Sequence, residues 1–144
     1  MTAHAIVFDC EHLTEETSPS RFWCGPDDPD PLLVQIGAVR LSLEPPFALG
    51  QTFDRIVRPV GRHGPVAPSA FFTRLTGIDA DRVAAEGVPL AAALSDFAAF
   101  AGEGGGMIDS SPMYGSSQAT IGYALDRLGH PPAVFSADKV WTGS

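Results

Sequence analysis

Two carboxylates stand one residue apart near the start of the chain, in Ile6-Val7-Phe8-Asp9-Cys10-Glu11. The residues before them are apolar and partly β-branched, which predicts a short buried strand from His4 to Cys10. Side chains alternate along a strand, so Asp9 and Glu11 share one face while Cys10 points to the other. Two carboxylates about 7 Å apart along one face can hold a hard cation such as Mg²⁺ or Mn²⁺. They also lie where an apolar strand runs out into a long polar loop, a common place for ligands in α/β sheets. On spacing alone, a solvated strand end without function has equal weight, because Asp-x-Glu often recurs by chance.

The elements that must position this pair follow from periodicity and punctuation. Glu11 to Pro31 is polar and holds Pro19, Gly25, Pro26 and Pro29, which predicts a long loop. Leu33 to Leu43 is a second strand. Its apolar phase slips by one near Ala38, so either a bulge at Gly37 or burial on both faces is expected. Gln51 to Arg58 alternates Phe53, Arg55 and Val57 against Thr52, Asp54 and Ile56. It is expected to pair with the second strand as an antiparallel hairpin, through a long connection containing Glu44-Pro45-Pro46 and Gly50. Pro59 to Pro68 is a loop. Ser69 caps a short helix carrying Phe71, Phe72 and Leu75, closed by Gly77. Asp79 caps a second helix running up to Gly87. Pro89 opens a third, to Ala101, with Leu90, Ala93, Leu94, Phe97 and Phe100 in a stripe at helical spacing. Glu103 to Gly106 is a turn. Met107 to Tyr114 holds a strand interrupted by Pro112. Ser116 caps a fourth helix with Ile121, Ala124, Leu125 and Leu128, closed by Gly129. A last strand is expected near Ala133-Val134-Phe135. This order predicts one α/β domain over residues 1–144, with a mixed sheet.

Bulk properties bound the function. The chain has 144 residues, 44% of them hydrophobic, enough for one core and too apolar for a disordered chain. No apolar run is long enough to span a bilayer, and the N-terminus lacks the basic region of a signal peptide. No membrane association and a cytoplasmic location are therefore expected. Two cysteines without a CxxC pattern support neither a disulfide framework nor a zinc knuckle. The formal net charge of -8 has the wrong sign for a protein that coats DNA through a basic surface. It does not exclude nucleic acid as a substrate, because bound cations reverse the local charge at a carboxylate site.

Three segments taken together carry a resemblance. Phe8-Asp9-Cys10-Glu11, then Gln35-Ile36-Gly37-Ala38-Val39, then Phe71-Phe72-Thr73-Arg74-Leu75-Thr76-Gly77-Ile78 resemble the DEDD superfamily of 3′–5′ exonucleases, of the ribonuclease T and DNA-polymerase proofreading type. The likeness covers about residues 5–130, with the three motifs in the family's order. Arg21-Phe22-Trp23-Cys24-Gly25-Pro26 and Asp28-Pro29-Asp30-Pro31 look like an insertion found in one bacterial branch of it. The resemblance implies a ribonuclease H-like fold, a mixed β-sheet flanked by helices. It also implies a two-metal site for Mg²⁺ or Mn²⁺ acting on the 3′ ends of DNA or RNA. Asp9 would bridge both metals and Glu11 would bind one. His12 and Leu13 would lie near the terminal nucleotide, although a solvated loop histidine is the simpler reading of His12.

The departures from the family pattern are as informative. The second-motif Asp should fall at Ser117, or at Gln118 if the register moves by one, and neither is a carboxylate. Asp109 and Asp126 are the nearest alternatives, one before the turn and one well inside its helix. The third motif, a His or Tyr followed by an Asp on a final helix, is absent before Ser144. His130 and Asp138, separated by Pro131-Pro132, do not substitute. The expected fold is thus C-terminally truncated, and a homodimer or an exchanged segment could cover the exposed core. Three functions follow: a metal-dependent exonuclease, an inactive exonuclease-fold module binding nucleic acid or a protein partner, or a small acidic interaction domain. Other features have plain readings. Gly102 to Gly106 lacks the Lys of a phosphate-binding loop, Cys10 is a buried thiol, and Phe71, Phe72, Phe97 and Phe100 belong to the core. Arg21, Phe22 and Trp23 could grip a nucleotide, although anchoring of the loop by Trp23 is favoured.

Overall fold

The computed structural model describes residues 3–18, 20, 28–29, 31–102, 106–112, 114, 117–127, 129–130 and 135–139. They show a mixed α/β architecture and fall into two compact units, Met1–Glu16 with Pro29–Gly102, and Thr17–Asp28 with Glu103–Ser144. No helix among the described residues is long and apolar enough to cross a membrane. Arg21, Phe22 and Trp23 lie outside the described residues, as do the expected cap Ser116, Leu128 and the segment 131–134.

The first unit is built on an antiparallel sheet of three strands in the order β1 (His4–His12), β2 (Leu33–Ser42) and β3 (Leu49–Ile56). The expected hairpin of the last two strands is present. β1 is not the buried strand its apolar run predicts. Among the described residues it pairs with β2 alone, and Val7 and Phe8 are 52% and 50% exposed. An apolar run reports the character of a strand, not whether a neighbour lies along both its edges. The bulge expected at Gly37 is also absent. Gly37 pairs in register with Asp9 on one side and with Asp54 on the other, and the register shifts fall at Glu11/His12 and Val39/Leu41. The slip in apolar phase instead reflects the central position of β2, where no residue is fully exposed.

Two very short strands, β4 (Val60–Gly61) and β5 (Gly64–Pro65), form a small hairpin inside the expected loop. Three helices follow: α1 (Ala70–Thr76), α2 (Ala80–Glu86) and α3 (Leu90–Ala101). Ser69 and Asp79 are the N-caps the sequence predicts, their side chains accepting from the amides of Phe72 and Arg82. Gly77 ends α1 at φ 75, a conformation without steric cost for glycine. One core cluster gathers Leu13, Val34, Ile56, Phe72, Ile78 and Val83. A second joins Ile36, Val57 and Ala93, with Cys10, Phe53 and Phe97 packed against it. The apolar stripe of α3 thus covers one face of the sheet, except that Leu90 and Leu94 at its rim remain 47% and 49% exposed.

The second unit contains β6 (Met107–Ser110), α4 (Ser117–Arg127) and β7 (Phe135–Asp138). β6 and β7 pair in parallel, so β6-α4-β7 is a crossover unit of the α/β type.

Candidate functional site

β1 carries both carboxylates, and the register identifies their neighbours. In an antiparallel ladder, directly opposed residues send their side chains to the same face. Asp9 is opposite Gly37, which is opposite Asp54; one step along, Glu11 is opposite Gln35, which is opposite Ile56. Asp9, Glu11, Gln35 and Asp54 therefore share one face. Phe8, Cys10, Ile36 and Phe53 occupy the other, where Phe8 and Phe53 meet Phe97 of α3 at ring-centroid distances of 5.1 and 5.6 Å. The carboxylate face lies away from α3.

Between Asp9 and Asp54 the floor is open. Gly37 contributes no side chain, and a Cβ built there would meet nothing within 4 Å. Asp54 itself is engaged: its carboxylate accepts from Gln35 Nε2 at 2.7 Å and from Arg82 Nη2 at 3.1 Å. Arg82 also donates to Glu86 at 3.1 Å. Sequence reasoning missed Asp54, Gln35 and Arg82 as neighbours of this face. The alternation of Thr52, Asp54 and Ile56 is visible in the sequence, but only the register assigns that phase to the side of Asp9.

The electrostatics of the strand end follow from crowding of negative charge. Partial burial, and then the charge of Asp9, raise the Glu11 carboxyl above the ordinary glutamate value. The Cys10 thiol is pushed up to about 11, first by burial and then by Asp9 and Glu11. His12 keeps an exposed edge, yet enough protein surrounds it for desolvation to lower its pKa; a hydrogen bond with the Cys10 backbone and the charge of Asp9 oppose that shift. The register shift between Glu11 and His12 falls directly after the carboxylate pair. Leu13 turns into the core at 5% exposure, and its amide donates to the Leu32 carbonyl at 2.9 Å. The end of the carboxylate strand is thereby anchored.

Oxygen donors of this kind suit a hard divalent cation, which commonly takes one or two carboxylates and completes its shell with water and phosphate oxygens. The pair Asp9 and Glu11 fits that role. No group of three or more His, Cys, Asp or Glu side chains among the described residues is arranged to hold a metal ion.

The positions matching the second motif are in the second unit. Ser117 begins α4, with its Oγ 3.0 Å from Ser110 Oγ. The Gln118 amide donates to the Asp138 carboxylate. Asp109 is held by Lys139 Nζ at 2.8 Å, and Lys139 also donates to the Tyr114 hydroxyl at 3.1 Å. Asp126 is an exposed partner of His130 at 2.8 Å, the solvated role expected of a residue well inside its helix. A scan of protein-family models finds no match to this chain, and a search of the curated proteins finds none either.

Proposed function

We propose that this chain is a metal-dependent 3′–5′ exonuclease domain of ribonuclease H-like fold, with Asp9 and Glu11 as its metal-binding carboxylates. The observation that carries this reading is the shared sheet face of the two side chains beside the open position at Gly37. Mg²⁺ or Mn²⁺ bound there would supply Lewis-acid activation and charge neutralisation for hydrolysis of a phosphodiester. Asp9 and Glu11 orient that charge toward the open face. Burial first, and then the charge of Asp9, raise the Glu11 carboxyl, and a bound cation would favour its ionised form. The fixed end of β1, with Leu13 in the core, holds the pair in place.

The test is degradation of a 3′-labelled single strand of DNA or RNA in Mn²⁺. Loss of shortening with EDTA and with Glu11→Ala is expected. Absence of Mn²⁺ binding, with Asp9→Ala indistinguishable from the parent chain, would exclude the reading. A second reading is an inactive module of the same fold that retains nucleic-acid or protein binding. It is favoured by the non-acidic Ser117 and Gln118, whose polar groups are engaged with Ser110 and Asp138. Oligonucleotide binding without degradation would select it.

A further inference from the structure

Along β3 and α3 lies a cleft of about 440 Å³ whose lining includes Arg40, Gln51, Phe53, Arg55, Asp96 and Phe100, with Asp54 also at its wall. Two guanidinium groups flank a pair of rings there. Arg40 sits 5.1 Å from the Phe100 centroid, Arg55 5.4 Å from the Phe53 centroid, and the two rings are 5.2 Å apart. Their charges are not balanced alike. Arg55 donates to Asp96 at 2.8 Å and to the carbonyl of Asp54 at 3.2 Å. Arg40 meets only the His4 ring, at 3.1 Å, and the Phe100 carbonyl, and has no carboxylate partner among the described residues. Its Nε–H is buried and without an acceptor.

A partly buried guanidinium with an idle donor and no counter-charge is costly to the fold. A bound anion would supply the counter-charge that Arg40 lacks among the described residues. We propose that this cleft is a binding site for a phosphomonoester of nucleotide size. Asp96 is held by Arg55 and Asp54 by Arg82, and the N–H donors of two guanidinium groups suit the several oxygens of a phosphate, which can meet both at once, better than the two of a carboxylate. The volume exceeds what inorganic phosphate fills, and Phe53 and Gln51 in the lining offer a wall for an attached sugar or base. The lining includes neither Asp9 nor Glu11, and the site stands whether or not those residues hold a metal.

The test is calorimetric titration of the whole chain in EDTA, which removes any metal-borne phosphate binding. AMP, ribose phosphate and adenosine are the probes. AMP and ribose phosphate are expected to bind and adenosine is not. Arg55→Gln, at an exposed position, should weaken AMP binding by about tenfold. Asp96→Asn should tighten it, because it frees Arg55, a gain that a merely structural role would not produce. Arg40→Gln should abolish binding; should that variant not fold, because Arg40 packs on Phe100, the Arg55 and Asp96 variants decide. Failure of AMP to bind, equal binding of adenosine and AMP, or Arg55→Gln and Asp96→Asn both without effect or shifting affinity in the same direction would overturn the proposal.

Discussion

Cys10 shows how strongly position alters a single side chain. It lies between two carboxylates in sequence, yet its thiol faces the packed side of the sheet. Burial and the two flanking charges raise its pKa from 9.0 to about 11. The thiolate is the reactive form, so its population at mildly alkaline pH drops about a hundredfold relative to an ordinary thiol. Peptide-resolved mass spectrometry after iodoacetamide treatment should find Cys10 slow in the native chain and fast in urea. Equal rates would refute the assignment. The sign for stability follows from the same shift. A raised thiol pKa favours the folded state fully below the ordinary value of 9.0, and this contribution is lost as pH rises toward about 11. Urea denaturation across that range should show a decline that Cys10→Ala reduces. Gly87 makes a steric prediction at the same scale. A Cβ there would lie 2.3 Å from the carbonyl oxygen of Val83, a backbone atom that cannot swing aside. Gly87→Ala should therefore cost more than about 1 kcal/mol in denaturant melts.

At the scale of elements, α1 and α2 are each seven residues long, too short to persist without caps and tertiary packing. Ser69 serves α1 twice. Its Oγ accepts from the Phe72 amide at 3.1 Å and donates to the Thr14 carbonyl at 3.1 Å, tying the segment after β1 to the helix start. Ser69→Ala should lower stability by about 1 kcal/mol, read as a shifted urea midpoint. Ser69→Asp should recover most of the capping bond to Phe72 but not the donor to Thr14. The strands follow a different logic. Among the described residues, β1 holds the candidate metal pair at an edge of its sheet, where the ladder with β2 and the core anchor at Leu13 fix its course.

At the scale of the whole molecule, stability concentrates in a few side chains. Phe72 is fully buried in the cluster with Leu13, Val34, Ile56, Ile78 and Val83, whereas Leu75 of the same helix is 64% exposed. Phe72→Ala should cost about 3–5 kcal/mol, a large share of a typical domain's stability. Leu75→Ala should stay within about 0.5 kcal/mol. Thermal melts of the two variants compare burial directly at near-constant helix propensity. Similar losses in both would mean that α1 packs through a different face.

What the sequence determined by itself was local. Ser69, Gly77 and Asp79 marked helix ends correctly because a cap closes hydrogen bonds within three or four residues of itself. The alternation of Asp9, Cys10 and Glu11 set two faces of one strand, since the pleat has a period of two whatever lies beside it. The tertiary structure decided everything that needed a partner distant in sequence. It placed Gly37 and Asp54 beside Asp9, left Val7 and Phe8 exposed on an edge, and moved the irregularities of β2 away from Gly37. It also brought Arg40 to Phe100, sixty positions along the chain, where no sequence period relates the two. Strand register and edge exposure depend on which elements pack together, and that choice is made by the summed burial of many side chains rather than by any one segment.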